Sequence, residues 1–131
     1  MTKVKQITAW IASKPGELGR VAQALAKAKV NISAIASWGG ECESPVRLIV
    51  SNPGKAKSVL QDLGVRVTEE EVLRVTFADK PGVLGEVSAR LGEERINIEY
   101  AYASATTSAK KADLILSVSD LAGAAKALRG L

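Results

Sequence analysis

The sequence predicts an α+β protein made of two tandem units, each with antiparallel strands and a pair of helices on one face. Three observations predict it. The hexapeptide KPGELG at 14–19 returns as KPGVLG at 80–85. Residues 7–51 laid without a gap on 73–117 give 13 identities: Ala12, Lys14, Pro15, Gly16, Leu18, Gly19, Val21, Leu25, Asn31, Ile32, Leu48, Ile49 and Ser51, each with its counterpart 66 positions on. Apolar residues also alternate before each turn and recur at helical spacing after it. A turn that returns together with its flanking core positions marks an internal duplication.

The elements follow in order. Ile7, Ala9 and Ile11 alternate with Thr8 and Trp10, the period of a half-buried strand, and Leu73, Val75 and Phe77 repeat it. After the Pro-Gly turn, Leu18, Val21, Leu25 and Ala28 fall on one helical face, matched by Leu84, Val87 and Leu91. VNISAIASW (30–38) and INIEYAYAS (96–104) read as second strands. Polar or small loops at 39–45 and 105–111 lead to third strands, VRLIVS (46–51) and ADLILS (112–117). A second helix follows, with Ser51 or Asn52 as its cap and Pro53 in its first turn. Ala56, Val59, Leu60 and Leu63 form its apolar face and Gly64 suits its end. Leu121, Ala124, Ala125 and Leu128 take that part in the second unit. VRVT (65–68) reads as a short fourth strand, and the acidic EEE (69–71) as a solvated linker.

The order is βαββαβ, then βαββα, which predicts two ferredoxin-like units at 1–70 and 71–131, the second without an obvious last strand. Composition narrows the chemistry. The 131 residues carry 47% hydrophobic and 24% charged side chains, a globular balance long enough for one ordinary or two very small domains. There is no histidine, which removes imidazole chemistry. Cys42 is the single cysteine, flanked by Glu41 and Glu43, whose charges disfavour a thiolate, and it reads as a passive loop residue. No cofactor or metal is therefore expected. No apolar run approaches the ~20 residues of a membrane helix, and the N-terminus lacks a signal-peptide pattern, so no membrane association and a cytoplasmic location are expected. Residues 1–64 hold nine basic and four acidic groups against nine and ten in 65–131, but the basic groups are scattered and read as a solvated surface.

A chain passing through Pro-Gly into a helix presents unpaired N–H groups at the positive end of the helix dipole, a setting that suits a carboxylate or phosphate. Neither GxxxxGK[ST] nor GxGxxG occurs, so this is not a nucleotide loop. DKPGVLGEVSARLGEERINIEYAYAS (79–104) resembles the signature of the ACT domain: a strand, Asp-x-Pro-Gly-x-Leu, an amphipathic helix, then Asn-Ile opening the next strand. SKPGELGRVAQALAKAKVNISAIAS (13–37) resembles it nearly as well. The resemblance implies a stand-alone, non-catalytic regulatory protein that binds small effectors, usually amino acids, at interfaces between ACT units. It implies ligand positions at Asp79, Gly82, Val83, Leu84, Asn97 and Ile98, and at Gly16, Glu17, Leu18, Asn31 and Ile32. The first unit has Ser13 where the second has Asp79, so the second loop is expected to hold an ammonium group more strongly.

RNA binding shares the βαββαβ order but needs stacking aromatics on central strands, and RLIVS and DLILS carry none, so no nucleic-acid partner is expected. No carboxylate or lysine pair has a spacing that suggests acid-base catalysis. Tyr100 and Tyr102 share one strand face, where they either close over a ligand or pack on another sheet. Trp10, opposite Ile7, Ala9 and Ile11, and the absent last strand both point to a homodimer. A detached regulatory subunit of an amino-acid biosynthetic enzyme, such as acetolactate synthase, is the alternative within the same family.

Overall fold

The computed structural model describes residues 1–105 and 110–131. The elements are β1 (Thr2–Ala12), α1 (Glu17–Lys27), β2 (Ile32–Ser37), β3 (Glu43–Val50), α2 (Pro53–Asp62), β4 (Arg66–Ala78), α3 (Val83–Glu93), β5 (Ile98–Ala105), β6 (Lys111–Val118) and α4 (Leu121–Ala127). Part of the expected 105–111 loop, residues 106–109, lies outside the described residues. The chain divides into two compact units, Lys5–Glu70 and Met1–Val4 with Glu71–Leu131, so β1 and β4 each contribute to both.

In the unit Lys5–Glu70 the strand order is β2-β3-β1-β4. β3 pairs antiparallel with β1, Ile7 opposite Leu48, and with β2, Ser37 opposite Val46. Ile7, Ala9, Ile11, Val46, Leu48 and Val50 face the helices and pack on Val21 and Leu25 of α1 and Ala56 and Leu60 of α2. Period-2 strands and period-3.6 helices thus place their apolar residues in one core. Asn52 caps α2 by accepting from the Lys55 N–H at 3.1 Å, Pro53 opens it, and Gly64 follows its end at φ 79°.

The other unit repeats this plan in the order β1-β4-β6-β5. Leu73 and Val75 of β4 and Leu114 and Leu116 of β6 pack on Val87 and Leu91 of α3, Ala124 of α4 and Leu128 at the end of α4. No strand follows α4. The flank of β4 that a last strand would occupy is bordered by the start of β1, since Met1–Val4 belong to this unit.

Two sequence readings need correcting. EEE is no linker: β4 runs unbroken from Arg66 to Ala78. Glu70 accepts hydrogen bonds from Gln6 Nε2 at 2.9 Å and from Thr8 Oγ1, and Glu69 pairs with Lys5 and Lys57 at 3.3 and 3.5 Å. The glutamates extend the strand because β1 and α2 offer them donors and cations. The gapless comparison also mismatches the third strands. Ile7 faces Leu48 while its counterpart Leu73 faces Leu116, so β6 corresponds to β3 at an offset of 68 residues, not 66. Ser51 then matches Ser119, and two more residues separate the paired positions Ala103 and Leu114 than separate Ser37 and Val46.

Candidate functional site

Both Pro-Gly turns end in a glycine that caps a helix with positive φ, Gly16 at 89° before α1 and Gly82 at 97° before α3. No side chain bonds either cap, so the first-turn N–H groups of both helices have no side-chain acceptor. Asp79 does not cap α3. Its side chain is exposed, and its main-chain N–H donates to Lys110 O at 2.7 Å, as Ser13 donates to Cys42 O at 3.1 Å. The glycines are required by φ: a Cβ at Gly16 or Gly82 would meet nothing within 4 Å, so the space beside both turns is open.

The first turn borders an open cleft. It measures about 470 Å³ and is lined by Ile11, Ala12, Ser13, Lys14, Pro15, Leu18, Ser37, Trp38, Gly39 and Ser44. Leu18 and Trp38 are 41% and 51% exposed, so large apolar surface stands open to water at the rim. The Arg47 guanidinium lies 4.6 Å from the Trp38 ring centroid, a cation–π contact that restrains the indole. The second turn borders a smaller cavity of about 320 Å³ on the core side of α3, lined by residues that include Phe77, Lys80, Val83 and Glu86. Asp79, Gly82 and Leu84 are not among its walls. Leu84 stands 56% exposed and Val83 is buried in the core.

The Asn-Ile pairs stand at the other end of each unit. Asn31 donates its N–H to Ser51 Oγ at 3.0 Å and accepts from the Ser51 N–H at 2.9 Å, beyond the last residue of β3. Asn97 makes the same pair with Ser119 at 2.9 and 3.0 Å. Ser13 meets Cys42, before the first residue of β3, so a whole strand, roughly 25–30 Å, separates the turn from the Asn-Ile pair of its own unit. Ile32 and Ile98 are half-buried against their cores, and Glu17 is held by Arg20 at 3.1 Å. Asn97 Nδ2 donates to Glu99 at 3.3 Å.

Leu18 and Leu84 are surface residues at these helix starts, not core residues as helical spacing suggested. Trp38, Ser37 and Ser44 were missed. Their signal was a tryptophan followed by Gly39 and Gly40 at the end of a strand, which periodicity does not weigh. Tyr100 and Tyr102 pair with Ser117 and Ile115, on the sheet face away from Leu114 and Leu116. Among the described residues, no group of three or more His, Cys, Asp or Glu could hold a metal ion, and no helix is long and apolar enough to cross a membrane.

Tandem ferredoxin-like units, each with a Pro-Gly turn before a helix and an Asn-Ile pair at the start of a strand, define the class of fold. The family model described as "ACT domain pair" matches residues 1–126, and the chain belongs to that family. As a pair of ACT domains it is a regulatory, small-molecule-binding module. Protein BT0572 from Bacteroides thetaiotaomicron is similar over 97% of this chain and 87% of that one, with 29% identity and a TM-score of 0.90. The regulatory subunit of aspartate kinase from Thermus thermophilus, in its ligand-free form, shares the fold at TM-score 0.70 and 20% identity, over 94% of this chain and 88% of that one. The subunit from Thermus flavus does so at 0.65 and 19%, over 94% and 86%. No curated protein matches the chain.

Proposed function

We propose that this chain is a non-catalytic sensor that binds a free amino acid at its Pro-Gly turns and acts through contacts between ACT units, as a homodimer. The observation that carries the reading is the open cleft beside the first turn, lined by Ser13, Lys14, Pro15 and Leu18 from the turn and the start of α1; Gly16 and Glu17 are not among its walls. The N–H groups and dipole suit the carboxylate of an amino acid, and the cleft suits its side chain. The proposed ligand positions remain Gly16, Glu17 and Leu18 at one turn and Asp79, Gly82, Val83 and Leu84 at the other. The Asn31–Ile32 and Asn97–Ile98 pairs would be offered to a turn by a second copy, since each stands a strand length from the turn of its own unit. Asp79 favours the second turn for an ammonium group, while the cleft favours the first.

Calorimetric titration of the intact protein with the common amino acids tests this. At least one should bind below millimolar concentration, and Ser13→Ala and Asp79→Ala report which turn is used. Absence of binding by every amino acid at millimolar concentration overturns the reading.

A second reading, a regulatory subunit of an amino-acid biosynthetic enzyme, draws on Ile35 and Leu84. Both are exposed apolar residues that line neither turn's cavity, and such residues suit a protein contact. Co-elution with such an enzyme, acetolactate synthase or aspartate kinase, supports it, and independent elution with unchanged enzyme inhibition rejects it.

A further inference from the structure

We infer that the first-turn cleft selects one effector class, amino acids with a large apolar side chain, and that Trp38 is the residue that sets this choice. The inference rests on the amino-acid reading above and adds a side-chain class and a single occupied site. Its basis is the chemistry of the walls. Ile11, Pro15, Leu18 and Trp38 supply hydrocarbon and an aromatic face, and the polar lining consists of hydroxyls and Lys14, with no carboxylate.

A basic effector side chain would find no counter-charge in such a cleft. An acidic or hydroxylated one could meet Lys14 or the hydroxyls of Ser13, Ser37 and Ser44, but it would bring no hydrocarbon to cover the exposed faces of Leu18 and Trp38. A leucine or phenylalanine side chain instead removes its own surface and the exposed faces of Leu18 and Trp38 from water together. Lys14 adds a positive charge to the lining. Arg47 stacks on the Trp38 indole, so the wall is already in place and little side-chain freedom is lost on binding.

The second unit lacks the tryptophan and the arginine of this stack. At the offset of 66 residues that relates β2 to β5, Ser104 stands where Trp38 does. At the offset of 68 that relates β3 to β6, Ile115 stands where Arg47 does. Both halves of the stack are therefore absent at the second turn, and the duplicated turns differ in what they can hold.

The test uses the full chain. Its two tryptophans are Trp10 and Trp38, so in a Trp10→Phe background the emission reports Trp38 alone. Leucine, methionine and phenylalanine should change that emission, while aspartate, lysine and threonine should not. Calorimetry on the unsubstituted chain should give one site per chain. Trp38→Ser, which copies the second unit, should weaken binding at least tenfold, and Trp38→Phe should hold it within about threefold. Circular dichroism checks that both variants fold, as expected for a residue half open to solvent. Preference for a charged or hydroxylated amino acid, two equal sites per chain, or Trp38→Ser binding within twofold of the parent would each overturn the inference while leaving amino-acid binding in place. Failure of every amino acid to bind overturns the underlying reading instead.

Discussion

Gly16 shows how one residue joins fold and function. At φ 89° it lies where side chains are disfavoured, and it closes the turn that exposes the N–H groups of α1. Gly16→Ala should cost about 1 kcal/mol in urea unfolding even though the new Cβ meets nothing, because the cost is backbone strain. An unchanged midpoint would show that the turn relaxes freely. Glu69 carries a different kind of information. Its hydrogen bond to Lys5, followed by the charges of Lys5 and Lys57, holds its carboxyl below the ordinary carboxylate value against the opposing effect of burial. A group whose folded pKa is lowered contributes stability above its unfolded pKa and loses it as pH falls through the folded value. Glu69→Gln should therefore be less stable than the parent at neutral pH, and the gap should close in acid. Denaturant midpoints at about pH 7 and pH 3 check this; a gap that stays constant with pH means Glu69 acts by packing alone.

At the scale of elements, β4 decides how the duplicated halves are joined. A charged EEE between two apolar runs looks like a solvated linker, yet Glu69 and Glu70 are engaged by Lys5, Lys57, Gln6 and Thr8, and the strand continues through them. A glutamate-specific protease acting on the native protein should cut after Glu41, in the exposed loop before β3, and leave Glu69, Glu70 and Glu71 intact. Early cleavage at 69–71 would mean that β4 frays there. This element also shows why sequence reading fails where it does. Period-2 and period-3.6 patterns located the strands, helices and helix caps because burial writes itself into apolar spacing. Gln6 and Thr8, the partners of Glu70, lie more than 60 residues away and leave no local pattern. The two-residue shift of β6 was hidden because Leu48, Ile49 and Ser51 happen to meet identical residues at the wrong offset. At the candidate site the turns and the Asn-Ile pairs were legible as repeats. Trp38 occurs in one unit only, so a comparison of repeats passed over it.

The whole molecule poses the question of what faces each turn. Within a unit the Asn-Ile pair sits a strand length from the Pro-Gly turn and is tied there by Ser51 or Ser119, so it cannot swing toward its own turn without losing one main-chain hydrogen bond and one to the serine hydroxyl. The first-turn cleft is open on one side, and β2, which carries Trp38 just past its end, is the outermost strand of its unit with Ile35 47% exposed. An unpaired strand edge beside an open apolar cleft is a surface that a second copy can complete. If the effector is held between a turn and a second copy, it must bind the dimer more tightly than the monomer, and by linkage it must strengthen the dimer by the same factor. Light scattering across a dilution series should then find a particle of twice 13.7 kDa at micromolar concentration, with its dissociation moved to lower concentration by a bound amino acid. A dissociation midpoint unmoved by saturating effector would place the ligand wholly within one chain. A 13.7 kDa particle at every concentration, with or without effector, would end the dimer proposal.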